Sequence, residues 1–121
     1  MRKKTILLVD DEAEILEILH NFLHAEGFET MQTKDGQEGL DVFKKGQRPD
    51  MVILDEKMPR MSGSEFLRNL KELKIDVPVV ALTGSINLEH LNPTLKEECE
   101  HILIKPVRLS ELLKLINKIL L

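Results

Sequence analysis

Residues 5–12 read Thr5-Ile6-Leu7-Leu8-Val9-Asp10-Asp11-Glu12, a short apolar run that stops abruptly in acid. The pattern returns downstream. Met51-Val52-Ile53-Leu54 ends at Asp55, Val79-Val80-Ala81-Leu82 ends at Thr83, and Ile102-Leu103-Ile104 ends at Lys105-Pro106. Apolar runs this short, without polar alternation, read as strands buried on both faces. Amphipathic stretches separate them. Ile15, Leu19 and Phe22, widened by Leu16 and Leu23, give a helical stripe from about Glu12 to Glu26, and Gly27 supplies its stop. A more polar strand at about Phe28–Thr33 reads as an edge strand. A helix follows from about Gly36 to Lys45, with Asp35 as cap, Leu40 and Phe43 facing inward, and Gly46 at its end. Ser62 and Glu65 form a capping box for a helix whose stripe is Phe66, Leu67, Leu70 and Leu73. Pro93 breaks the segment after Thr83, so a short helix at Pro93–Glu98 capped by Asn92 is expected. Ser110 is the expected cap of a final helix carrying Leu112, Leu113, Ile116, Ile119 and Leu120. Strands alternating with helices in this way predict an α/β fold with a parallel sheet covered on both faces.

The chain has 121 residues, the size of one domain, and 42% of them are apolar. No apolar run approaches the roughly 18 residues a membrane span needs, and no signal peptide opens the sequence. The basic start Met1-Arg2-Lys3-Lys4 reads as a solubilising lead into the first strand. Cys99 is the single cysteine, which leaves no internal disulfide, fits a reducing cytoplasm and reads as a buried thiol. A net charge of −4 argues against nucleic-acid binding by this domain's own surface.

In an open parallel sheet, ligands collect beyond the carboxyl ends of the strands. Asp10, Asp11, Asp55, Thr83 and Lys105 are all expected there. Any one of them alone reads as a helix cap or a loop end. Taken together they supply three carboxylates, a hydroxyl and an ammonium. Crowded carboxylates resist ionising together unless a cation joins them, so a divalent metal with a phosphoryl group is the natural occupant. Phosphoryl transfer to an exposed aspartate uses these parts: a carboxylate nucleophile, Mg2+ on carboxylate oxygens, and a lysine as second point charge. A hydroxyl and backbone amides would hold the phosphoryl oxygens.

Leu8-Val9-Asp10-Asp11-Glu12, the run from Leu54 to Gly63, Leu82-Thr83-Gly84 and Lys105-Pro106 together resemble the receiver domain of two-component response regulators, over the whole chain. The resemblance implies one receiver domain over residues 1–121 with a doubly wound, flavodoxin-like (βα)5 fold and strand order 2-1-3-4-5. It implies phosphorylation of Asp55 by a histidine kinase or phosphotransfer partner. Mg2+ would sit on Asp11, Asp55 and the Lys57 backbone carbonyl, with Asp10 acting mainly through a metal-bound water. Lys105 would pair with the phosphoryl group, Thr83 would swing toward it as the switch, and the amides of Glu56 and Gly84 would complete the cradle. The Lys105–Pro106 bond would be cis. Glu12 is expected in the first turn of its helix rather than on the metal, and the Lys57 side chain in solvent. Partners or an output domain would meet the face formed by Pro93–Glu98, the strand His101–Ile104 and the final helix, where a phosphorylation-dependent homodimer could also form.

Three departures fall on that face. Ile102 stands where such receivers carry a Tyr or Phe that turns inward, and a β-branched side chain has no ring to swing. Glu98-Cys99-Glu100 replaces a small Gly-Ala segment, and Pro93 interrupts the helix before it. Coupling from Thr83 is therefore expected to be weaker or to use another movement. His20 and His24, four apart on the first helix, could bind zinc but lack a third ligand and read as a solvated face.

Two other classes compete with the receiver. A metal-dependent phosphatase with an aspartyl nucleophile would carry a second acid two positions on, where Lys57 stands. An unphosphorylated interaction module would have no need of the acidic triad, Thr83 and Lys105. The leading expectation is a switch that assists its own phosphorylation and dephosphorylation and turns over no separate metabolite. Met1 reads as a natural start; beyond Leu121 the chain is expected either to stop or to continue into an output domain.

Overall fold

A computed structural model describes residues 2–84, 99 and 101–121. In chain order the elements are β1 (Thr5–Val9), α1 (Ala13–Ala25), β2 (Glu29–Thr33), α2 (Gly36–Lys44), β3 (Met51–Asp55), α3 (Gly63–Glu72), β4 (Val79–Thr83), β5 (His101–Ile104) and α4 (Leu109–Leu120). The expected helix at Pro93–Glu98 lies outside the described residues. The strands form one parallel sheet in the order β2-β1-β3-β4-β5, as the resemblance implied. Polar β2 takes one edge and fully buried β3 the centre.

Successive strand residues point to opposite faces, and each face has its own core. Leu7, Val9, Val52, Leu54 and Ala81 pack with Leu40 and Phe43 of α2 and with Phe66, Leu67 and Leu70 of α3. Ile6, Leu8, Ile53, Val80 and Leu82 pack with Leu16, Leu19 and Leu23 of α1 and with Leu112 and Ile116 of α4. The fully buried runs in β1, β3 and β4 are thus the direct consequence of helices on both sides.

The helix ends follow local chemistry, with three corrections. Gly27 at φ 93° and Gly46 at φ 89° take the left-handed turns after α1 and α2. Asp35 accepts from the Glu38 amide at 2.8 Å and caps α2. Ser62 accepts from the Glu65 amide at 3.2 Å, but its hydroxyl also lies 3.5 Å from Glu65 Oε1, so the Glu65 side chain turns toward the hydroxyl. Leu73 is 43% exposed instead of buried, because it is the C-cap residue of α3 and Lys74, at φ 58°, turns the chain away. Ser110 lies inside α4 rather than before it; Arg108 is the N-cap residue and makes no side-chain cap bond. Docking of the Leu112–Ile116 face decides that start, not a cap. The basic start has a specific partner as well, since Arg2 binds both oxygens of Asp50 at 3.0 and 3.3 Å. Cys99 is buried, with its sulfur 3.2 Å from the Val79 carbonyl oxygen.

Candidate functional site

Strand register assembles the site. Val9 lies beside Leu54, Asp55 beside Leu82, and Thr83 beside Ile104. The residues that end these strands therefore meet along one edge. Backbone bonds carry the register past the strand ends: the Asp10 amide donates to the Thr33 carbonyl at 3.1 Å and the Lys105 amide to the Thr83 carbonyl at 2.7 Å.

Carboxylate oxygens of Asp10, Asp11 and Asp55 come within 4.8 Å of one another. Lys105 Nζ donates to Asp55 Oδ1 at 3.2 Å, and the Lys105–Pro106 bond is cis. Asp11 is exposed, while Asp10 is 3% exposed. Asp55 is 4% exposed, which corrects the expectation of an exposed nucleophile: it ends the most central strand and the Lys105 ammonium leans over it. Thr83 is buried and Gly84 is exposed beside it.

The electrostatics are unbalanced. Like charges about 4 Å apart repel by on the order of 4 kcal/mol at an effective dielectric of about 20, and among the described residues one ammonium faces three carboxylates. The Glu12 amide donates to Asp10 Oδ1 at 2.9 Å, yet Asp10 Oδ2 is buried with no hydrogen-bond partner among the described residues. Burial, with the Asp55 and Glu12 charges adding, pushes the Asp10 carboxyl up to about 6 despite that amide and the Lys105 charge. Burial by itself lowers Lys105, but the hydrogen bond and charge of Asp55 outweigh it and the ammonium is held above its usual range. An orphaned carboxylate oxygen among clustered oxygens fits a small hard cation with oxygen ligands. Asp10, Asp11 and Asp55 are the side chains placed to hold it.

The other predicted residues divide. Lys57 is exposed, leaving its carbonyl as the atom of interest, and Glu12 is an exposed N-cap residue outside the acidic cluster. Ile102 pairs with Ala81 and packs against the core on the α2–α3 side, two residues below the Thr83 level. The Glu56 amide donates to the Leu82 carbonyl at 3.1 Å, so it is already spent in the sheet and is not a ready cradle donor, contrary to expectation. Unforeseen is the Glu56 carboxylate. It accepts from the Ser64 hydroxyl at 3.1 Å; burial, with Asp55's charge adding, raises its pKa above the usual value although the Ser64 bonds oppose this. The hint in the sequence is Ser64, a small polar residue beside the predicted stripe of α3. His20 Nδ1 bonds Thr30 Oγ1 across to β2 and stacks on His24, so His20 is half-buried against the edge strand rather than part of a solvated face.

The family described as response regulator receiver domain matches residues 6–117. The chain belongs to that family. Receivers of this kind accept a phosphoryl group within two-component systems. This receiver is 31% identical over 120 residues to sporulation initiation phosphotransferase F of Bacillus subtilis, a match covering 99% of this chain and 96% of that protein. It is 32% identical over 120 residues to the probable transcriptional regulator ycf27 of Porphyridium aerugineum, covering 99% of this chain but 49% of that one. The receiver thus spans about half the length of several curated relatives it matches. Among solved structures, chemotaxis protein CheY4 of Vibrio cholerae is similar with a TM-score of 0.88 and 29% identity, covering 98% of this chain and 100% of that one. Response regulator TrrA of Thermotoga maritima, solved in complex with Mg2+ and BeF, is similar with a TM-score of 0.85 and 32% identity, covering 97% and 99%. No described helix is long and apolar enough to cross a membrane.

Proposed function

We propose that Asp55 is the phosphoryl acceptor of this receiver. The observation that carries the reading is the pairing of Asp55 Oδ1 with Lys105 Nζ at 3.2 Å beside Oδ2 of Asp10, which has no partner among the described residues. An Asp55 oxygen attacks the phosphorus of a phosphohistidine on a sensor kinase or phosphotransfer protein. The O–P bond forms as the P–N bond breaks, and the imidazole nitrogen keeps the electron pair and takes a proton. Asp10, Asp11, Asp55 and the Lys57 carbonyl would hold Mg2+, which when bound neutralises carboxylate and phosphoryl charge. Lys105 transfers its contact from the carboxylate to a phosphoryl oxygen, compensating the added negative charge. The Thr83 hydroxyl and the Gly84 amide take further oxygens; among the described residues nothing lies within 4 Å of a Cβ built at Gly84.

Hydrolysis of the acyl phosphate resets Asp55, so the domain handles its own phosphoryl group and no separate substrate. With Ile102 packed below the Thr83 level, coupling to the β5–α4 face is weaker than with an aromatic there. Phosphoryl-analogue binding should therefore leave β5 chemical shifts nearly unchanged, and large shifts through β5 would refute this. We read the chain as one domain over residues 1–121, acting in the cytoplasm, with any output partner or second copy meeting the β5–α4 face and without direct nucleic-acid contact.

The test is labelling by acetyl phosphate, read by intact mass, for wild type and Asp55→Asn with and without Mg2+. Incorporation by wild type with Mg2+ only, and none by the variant, is expected. Label that survives the substitution or ignores the metal overturns the assignment.

A further inference from the structure

The segment between β3 and α3 carries the Lys57 carbonyl and closes on itself at Glu56. The Gly63 amide donates to the Glu56 carbonyl at 3.0 Å. One residue on, the Ser64 hydroxyl lies 3.1 and 3.4 Å from the two Glu56 carboxylate oxygens. Ser64 is 2% exposed, so this contact is sealed from water on the serine side. The approach leaves no slack: a Cβ added at Gly63 would come within 2.8 Å of Glu56 Oε2 and 3.0 Å of the Asp55 carbonyl oxygen. Ser62 already caps α3 through the Glu65 amide. Glu56, the residue covalently next to the acceptor, is thus tied by its side chain to the first turn of the same helix.

We infer that Glu56 is a positioning residue: clamped to the first turn of α3 through Ser64, its side chain fixes the segment that presents the Lys57 carbonyl beside Asp55. The inference rests on the reading of that carbonyl as a metal ligand. A hydroxyl donating to a carboxylate makes a charge-assisted hydrogen bond, stronger than one between neutral groups, and here it joins Glu56 to the first turn of α3. Once Glu56 is held, residue 57 follows within one peptide unit. Support that orients a ligand is worth about 10-fold or more in metal affinity. The clamp uses the hydrogen-bonding geometry of Glu56, so an uncharged side chain of the same shape should sustain it.

The experiment is Mg2+ titration followed by amide NMR, with thermal unfolding measured in parallel, on wild type, Glu56→Gln, Glu56→Ala, Ser64→Ala and the Glu56→Ala/Ser64→Ala double variant. The expected result is about 10-fold weaker Mg2+ binding in Glu56→Ala, and Glu56→Gln within about 3-fold of wild type. Ser64→Ala should fall between, and the double variant should be no weaker than Glu56→Ala, as one shared interaction requires. Equal losses in the Gln and Ala variants would overturn the inference by assigning the effect to charge. Unchanged affinity with lowered thermal stability would overturn it by reducing Glu56 to a helix cap. Failure of wild type to bind Mg2+ would instead bring down the acceptor-site reading, an outcome the Glu56 variants cannot mimic.

Discussion

Asp50 and Asp10 sit at opposite ends of the same sheet, one just before β3 and the other just after β1. Asp50 accepts from Arg2 at 3.0 and 3.3 Å and from the Thr5 amide at 2.8 Å. The Arg2 hydrogen bond, with the Thr5 amide helping against some burial, holds its carboxyl below the ordinary range. Asp10 has one amide on one oxygen and, among the described residues, no partner on the other; burial, with the Asp55 charge adding, pushes it the opposite way. The amino end of the sheet is a finished structure, whereas at the carboxyl end the described residues set one lysine against three carboxylates, the imbalance that the proposed cation and phosphoryl group would relieve. A carboxylate that stabilises a fold and one that waits for a ligand differ in how completely their oxygens are satisfied.

The contrast breaks first at the metal. Asp10→Asn should weaken Mg2+ binding about 10- to 100-fold, as loss of a supporting ligand does, whereas Asp50→Ala should leave it unchanged; NMR titration of both reads this directly. Next comes stability without metal. Asp50→Ala leaves the Thr5 amide unpaired and should cost about 1–2 kcal/mol in urea unfolding. Asp10→Asn removes a crowded charge and should raise stability at pH 7.5 by on the order of 1 kcal/mol. A loss in both variants would erase the distinction.

A smaller effect is the pH dependence. The folded-state pKa of Asp10, about 6, lies above its ordinary 3.8, so the native state binds the proton more tightly. Metal-free stability should therefore rise as pH falls through that window, while Mg2+ affinity declines as pH drops through about 6. Asp50, held low, contributes stability above its ordinary 3.8 that is lost only below it. Urea midpoints between pH 4 and 7.5, compared with those of Asp10→Asn, isolate the first term. The smallest effect belongs to Arg2→Ala. The Arg2 side chain is 66% exposed, so its loss should be slight at low salt and vanish in 0.5 M NaCl.

Where residues act through their neighbours in sequence, the reading was reliable. The Asp35 and Ser62 caps, the Gly27 and Gly46 turns and the two-faced burial of β3 all depend on local pattern and appear as expected. It failed where distant packing decided. Leu73 matches the stripe of α3 but lies at its end, and Ser110 has cap chemistry but lies inside α4 because Leu112 and Ile116 dock the helix earlier. Asp55 was expected in solvent, yet Lys105, fifty positions away, covers it. The Glu56 amide looked available until β4 supplied the Leu82 carbonyl.

From its order of residue types, the chain determined alternating strands and helices, and an acid, a hydroxyl or a lysine at each strand end. Period and strand length are encoded within a few residues of each position. Only the tertiary structure decided which of those groups would be satisfied and which left wanting. Satisfaction depends on what arrives from elsewhere in the fold: Arg2 for Asp50, Ser64 for Glu56, and, among the described residues, nothing for Oδ2 of Asp10.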